Sequence, residues 1–261
     1  MDQVNPIRLR DAIETGAGYL SKNDLAFYRR VWQTDLEVYR ARLRAIKFAG
    51  LENVLDAGCG MGQWTLCLAE RNRHVCALDS VANRVEIVRQ IMQAVGVTNA
   101  EVRKQSIEAM DFPDEYFDGI FCYQVLMMTD HRKTLREFYR VLKPGGKVYL
   151  SGTGLGWYIS NLITPHNFAE DYDPRAMAVE ALENTLTFFS EGVRRPDRQL
   201  ILPSRLVKKE METIGFEDVR VGGEGTLQLE SGIPIQSFFP AQQHGLENVY
   251  EVLALRKLSA G

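Results

Sequence analysis

Four residues at alternate positions, Asp56, Gly58, Gly60 and Gly62, stand in "VLDAGCGMGQWT" directly after a short apolar run. Glycine lets the main chain turn tightly with positive φ and lets a ligand approach the backbone within contact distance. A helix that starts near Gly62 adds free N–H groups, so the turn is a cradle for a polar or anionic ligand group. A second acidic residue, Asp79, ends the next apolar run, "HVCALD". An ionised carboxylate at such a position accepts hydrogen bonds from two adjacent hydroxyls. The spacing is not that of a dinucleotide site: the pattern G-x-G-x-x-G/A fits Gly58 and Gly60 but meets Gln63 where its third small residue belongs.

The elements around these residues alternate in period. Short β-rich runs at "NVLDA", "HVCALD", "EVRK", "FDGIFCYQVL" and "KVYLSG" are separated by helical patterns from about Gly62, through "ANRVEIVRQIMQAVG" and through "RKTLREFYRVLK". This predicts right-handed βαβ crossovers and an α/β fold, doubly wound, whose ligands bind at the carboxyl ends of the strands. Upstream, Leu25, Tyr28, Trp32, Leu36, Tyr39, Leu43 and Ile46 recur at steps of three and four, predicting one long helix capped by Asn23 and ended before Gly50. Downstream, roughly fifty residues, 153–202, replace the usual ~2–6-residue connection, so a helical insertion is predicted there, notably through "PRAMAVEALENTLTFF". A helix at "PSRLVKKEMETIG", a strand at "FEDVRVG", a long loop and a final strand at "NVYEVLALRK" complete the chain. We divide a single domain into an N-terminal helical extension (1–50), a core (51–152), an insertion (153–202) and a completion of the core (203–261).

Composition narrows the function. With 45% hydrophobic and 25% charged residues the 261-residue chain matches an ordinary globular protein. The 31 basic and 34 acidic residues, net charge -3, offer no general attraction to nucleic acid or to an anionic membrane. No run approaches the ~20 apolar residues of a membrane-spanning helix, and no signal peptide is evident, so a cytoplasmic location is expected. Cys59, Cys67, Cys76 and Cys122 form no CxxC pair and read as reduced, buried thiols.

The glycine run closely resembles the first motif of the class I S-adenosylmethionine-dependent methyltransferases, and Asp79, "SIEAMDFPDEYFDGIFCYQVL" and "FYRVLKPGGKVYLSG" resemble its later segments in order. The resemblance covers about residues 51–152. It implies a mostly parallel seven-stranded sheet with the last strand antiparallel, and S-adenosyl-L-methionine as cofactor. Asp56, Gly58, Cys59 and Gly60 would line the methionine part and Asp79 with Ser80 the ribose. Ser106 and Ile107 would flank the adenine, Ser106 standing where many relatives carry aspartate, and Tyr123 and Gln124 would lie beside the sulfonium. The family motif requires no metal.

The expected chemistry is methyl transfer to a small-molecule acceptor, at a hydroxyl in preference to nitrogen or carbon. A hydroxyl acceptor profits from a general base. Of the four histidines, His166, just beyond the fifth strand, is the best placed; His74 reads as structural, His131 as a solvated helix end and His244 as a loop residue. Tyr19, Trp157, Tyr158, Phe168, Tyr172, Phe238 and Phe239 are candidates to close over the acceptor, or to form a homodimer contact. Met127 and Met128 read equally as core or as pocket wall. The Asn/Asp-Pro-Pro-aromatic motif of base-amine methylases is absent from "CYQVL", so no nucleic-acid partner is expected; protein methylation and non-catalytic cofactor binding stay open. Tyr139 and Lys143 mimic a dehydrogenase pair by chance.

Overall fold

The computed structural model describes residues 5–164 and 168–258. Seven strands form the main sheet: β1 (Asn53–Ala57), β2 (His74–Asp79), β3 (Ala100–Lys104), β4 (Phe117–Tyr123), β5 (Leu142–Thr153), β6 (Phe216–Gly223) and β7 (Val249–Arg256). Their spatial order is β3-β2-β1-β4-β5-β7-β6. β7 enters antiparallel between β5 and β6, while β1 to β5 pair in parallel. This is the predicted doubly wound sheet with its last strand reversed.

Its strands read as near-continuous apolar runs because both faces are covered. On one face, Val54, Val75, Phe121 and Tyr149 pack with α3 (Leu36–Ala45), α4 (Gln63–Ala69) and α5 (Ala82–Ala94). On the other, Leu55, Cys76, Ile120 and Val148 pack with α6 (His131–Val141) and α9 (Ser204–Ile214). All four cysteines are free and buried. The insertion after β5 carries two helices, α7 (Leu155–Ile163) and α8 (Pro174–Glu191). Among the described residues, no helix is long and apolar enough to cross a membrane.

The N-terminal extension differs from the single helix its periodicity predicts. It is three helices, α1 (Pro6–Ala17), α2 (Lys22–Gln33) and α3. The stripe breaks at Thr34, whose backbone is extended, and Asp35 restarts it by accepting from Glu37 N at 2.8 Å. Ser21, and not Asn23, caps α2. The apolar register survives the break, since Tyr28, Val31, Tyr39 and Leu43 are all buried.

Arg42 of α3 is 1% exposed and joins distant parts of the chain. It pairs with Glu224 and, at 3.2 Å, with Glu251, and it donates to the Gln236 carbonyl at 2.8 Å. Glu224 also accepts from Tyr123 Oη at 2.8 Å and from Phe238 N at 2.8 Å. Glu251 accepts from Tyr149 Oη at 2.7 Å and from the backbone of Gly225 and Leu227. Removing one partner from a buried ionic cluster strands the others without solvent. Arg42→Ala should therefore cost about 3–5 kcal/mol in urea unfolding, far more than breaking an exposed pair such as Arg220 with Asp218.

Candidate active site

The turn after β1 is laced to the end of β2. Gly58 N and Cys59 N both donate to the Leu78 carbonyl at 2.8 Å, and Gly62 N donates to Cys59 O at 3.0 Å. The Asp79 carboxylate, 7% exposed, accepts from Gly60 N at 3.0 Å through Oδ2 and from Val81 N at 2.9 Å through Oδ1. Each oxygen thus keeps a further lone pair, the arrangement suited to two neighbouring hydroxyls.

The glycines of the turn have different reasons for being glycine. A Cβ on Gly58 would stand 2.4 Å from Val125 Cγ2, and one on Gly62 would stand 3.0 Å from Val88 of α5. Those two positions are filled by the protein itself. At Gly60, with φ +54°, the nearest heavy atom to a Cβ is 4.0 Å away in the backbone of the same turn. Only there does the missing side chain leave room for something from outside.

Asp56, 2% exposed, accepts from Thr65 Oγ1 at 2.6 Å and so ties the end of β1 to α4. Burial pushes its carboxyl up to about 7; the Thr65 hydrogen bond opposes this and the charge of Asp79 adds to it. In the first turn of α4, Gln63 Oε1 and Trp64 Nε1 are buried with no hydrogen-bond partner, as is Gln105 Oε1 after β3. Buried polar atoms of this kind want a partner, and all three lie next to residues of the turn or of the predicted adenine side.

A family model described as a methyltransferase domain matches residues 54–146. Over those residues the chain is similar to a methyltransferase domain. The fold is that of the class I S-adenosylmethionine-dependent methyltransferases, and the lone pairs of Asp79 and the open face of Gly60 fit that cofactor. The demethylmenaquinone methyltransferase of Listeria welshimeri is 34% identical over 100 residues, 37% of this chain and 42% of that protein. The match therefore spans less than half the length of such curated relatives. Among solved structures, geranyl diphosphate methyltransferase in complex with its cofactor aligns with TM-score 0.58 at 16% identity, over 84% of this chain and 85% of that one. The [4+2]-cyclase SpnF aligns with TM-score 0.57 at 16% identity, over 86% and 82%. At these identities the two structures share the fold.

The remaining predicted residues fall as follows. Tyr123 ends β4 and Gln124 follows it. Gln124 has φ +58°, a strained value for a side-chain-bearing residue. Ser151 holds it there: Gln124 N and Nε2 donate to Ser151 Oγ at 3.1 and 3.2 Å. The next residue, Val125, is thereby laid against Gly58. Ser80 and Ser106 are exposed, and Ser106 Oγ accepts from Glu108 N at 3.1 Å. Cys59 and Ile107 are buried in the two core clusters. His166 lies outside the described residues.

His131 corrects its sequence reading. It is fully buried among Phe188 and Phe189, with Nε2 2.7 Å from Glu210 Oε2, because α8 and α9 cover the start of α6. His74 opens β2 at the edge opposite the glycine turn, and His244 sits exposed in a hairpin turn between Gln242–Gln243 and Leu246–Glu247. Met127 is core, 3% exposed, and Met128 is at the surface. Lys143 pairs with Asp118 at 2.8 Å and Tyr139 packs on Phe216, so neither forms a dehydrogenase pair. Of the candidate aromatics, Tyr158 is core; Trp157 packs on Phe239 and Phe238 on Tyr39 and Tyr123; Tyr19 and Phe168 are exposed. Asp24 of α2 pairs with Arg84 at the start of α5 at 2.7 Å, and Lys22 pairs with Glu170, so the extension meets the insertion beside the end of β2.

Arg42, Gln63, Trp64, Gln105, Val125, Glu224 and Glu251 are absent from the sequence-based site. Gln63 and Trp64 were signalled by following the glycine run directly; the Arg42 cluster carries no local signal.

Two outcomes follow from this geometry. Gly58→Ala should lose on the order of 3 kcal/mol in urea unfolding through positive φ and the clash with Val125, and Val125→Ala should restore part of it. Asp56 binds its proton more tightly folded than unfolded, so its contribution is most favourable below pH ~4 and is lost as pH rises to about 7. The stability of the wild type relative to Asp56→Asn, measured by urea titration at a series of pH values, should fall by a few kcal/mol over that window.

Proposed function

We propose that the protein is an S-adenosylmethionine-dependent methyltransferase acting on a small organic molecule, at a hydroxyl oxygen. The observation that carries the reading is Asp79: a nearly buried carboxylate that organises the glycine turn through Gly60 N and retains acceptor capacity on both oxygens. In this reading Asp79 holds the ribose hydroxyls, and the Gly60 backbone admits the amino-acid end. Gln63, Trp64 and Gln105 offer partners to its polar atoms, and Tyr123 with Gln124 borders the reacting end. The bound cofactor supplies a methyl group on a sulfonium, a carbon that already carries a good leaving group.

The chain's own task is then positioning. Gln124, clamped by Ser151, fixes the floor at the end of β4. The Tyr123 hydroxyl is committed as a donor to Glu224 and its proton is held far above the ordinary tyrosine value by burial and the adjacent Glu224 charge, which argues against Tyr123 as a base. His166 remains the proposed general base for a hydroxyl acceptor. The contact of α2 with the insertion through Lys22 and Glu170 supports a small acceptor, as do the aromatic pairs Trp157–Phe239 and Tyr123–Phe238.

SpnF, with the same fold, is a [4+2]-cyclase by its description, which keeps a second reading in play: cofactor bound without methyl transfer. Calorimetry with S-adenosylhomocysteine should show binding that Asp79→Ala weakens at least about tenfold, the loss of a charge-assisted hydrogen bond. Equal affinity in that variant would remove the proposed site. Mass spectrometry after incubation with a panel of hydroxylated aromatic and terpenoid compounds should find products heavier by one methylene. Binding without any such product would favour the second reading.

A further inference from the structure

At the sheet edge away from the glycine turn, three side chains of metal-ligating type converge. His74 opens β2, Cys76 stands two residues on along the same face, and Glu101 of the outermost strand β3 is paired directly with Cys76 in the ladder. Their ligand atoms all lie within 4.8 Å of one another. The Cys76 Sγ to His74 Nδ1 distance is 3.7 Å. A tetrahedral zinc ion with bonds of ~2.3 Å to sulfur and ~2.0–2.1 Å to nitrogen spaces those two donors about 3.6 Å apart. Two of the three ligands therefore already stand at the required span, and the carboxylate needs a side-chain movement of about an ångström.

We propose that His74, Cys76 and Glu101 bind a divalent cation of the zinc class, with water completing the coordination, and that the ion clamps edge strand β3 to β2. The donor set selects the ion: thiolate and imidazole together favour zinc and its neighbours over magnesium or calcium. On binding, the Cys76 thiol gives its proton to solvent and the sulfur takes up the metal bond. A bound cation supplies the opposite charge that a buried thiolate needs. Arg103, which grips Glu101 at 2.7 and 2.6 Å, is the competitor. Both partners are well exposed, so the pair is weak, and one carboxylate oxygen suffices for the metal while the other stays with Arg103. Cys76 is 1% exposed, and the half-buried His74 and exposed Glu101 form the open side through which an ion arrives. The site stands apart from the crevice at the carboxyl ends of the strands, so its role is structural and independent of methyl transfer.

Cobalt(II) is the probe. Titrated into the full chain under reducing, chelator-free conditions, one equivalent should produce a near-ultraviolet thiolate-to-cobalt band and the visible bands of four-coordinate cobalt; zinc should abolish both. Cys76→Ser should remove the charge-transfer band. His74→Asn and Glu101→Gln, at less buried positions where folding is safe, should each weaken cobalt affinity by at least the ~10–100-fold that loss of an outer-shell partner costs. Zinc should raise the melting temperature of the wild type and not of His74→Asn. Absence of the band at saturating cobalt, or its persistence with unchanged affinity in His74→Asn, would show the trio to be an ordinary thiol–imidazole contact and overturn the proposal.

Discussion

The seating of α3 and of the loop after β6 on the sheet rests on one buried cation. Arg42 places a guanidinium between two carboxylates that are themselves almost inaccessible to water, Glu224 and Glu251, and the cluster reaches the end of β4 through Tyr123 and β5 through Tyr149. A pair of buried carboxylates without this cation would face a desolvation cost of several kcal/mol each. Because Arg42 belongs to α3, Glu251 to β7 and Glu224 to the loop after β6, satisfying that charge forces the extension, the late loop and the core into one geometry. The Phe238 ring, held over Arg42 at 5.0 Å and against Tyr39 and Tyr123, is placed by the same requirement.

The glycine turn obeys a different logic, in which protein packing and ligand access divide the work among neighbouring positions. Val125 uses the space at Gly58, and the strained Gln124 that delivers Val125 is secured by Ser151. The loops after β1 and β4 are thereby in direct contact, and a change in either is felt by the other. Asp79 joins the loop after β1 to the end of β2. The crevice is thus bounded by loops that brace each other, the kind of preorganisation a reaction governed by alignment requires.

The edge of the sheet at β3 shows how strand pairing brings together side chains that no linear spacing announces. His74 and Cys76 are two residues apart, but Glu101 reaches them only because β3 is laid in parallel beside β2 in one particular register. The same holds for His131: its position at the start of a helix suggests solvent, and only the later helices α8 and α9, folding back over α6, bury it against Glu210.

Much of the centre was legible from sequence because its signals are local. The alternation of strand and helix periods follows from side-chain direction along each element, and the glycine and aspartate spacings of the turn after β1 lie within a few residues of each other. Asp79 was readable for the same reason, at the end of its own strand. The break between α2 and α3 was not, since apolar periodicity continued while the extended backbone of Thr34 ended one helix and Asp35 capped the start of the next. Sequence alone therefore determined the sheet, its crossovers and the class of ligand its turn admits. Tertiary structure decided which glycine is open, what Arg42 neutralises and which histidines are buried, because each of those depends on the contact of segments far apart in the chain, and local periodicity holds no information about which distant charge a buried group will meet.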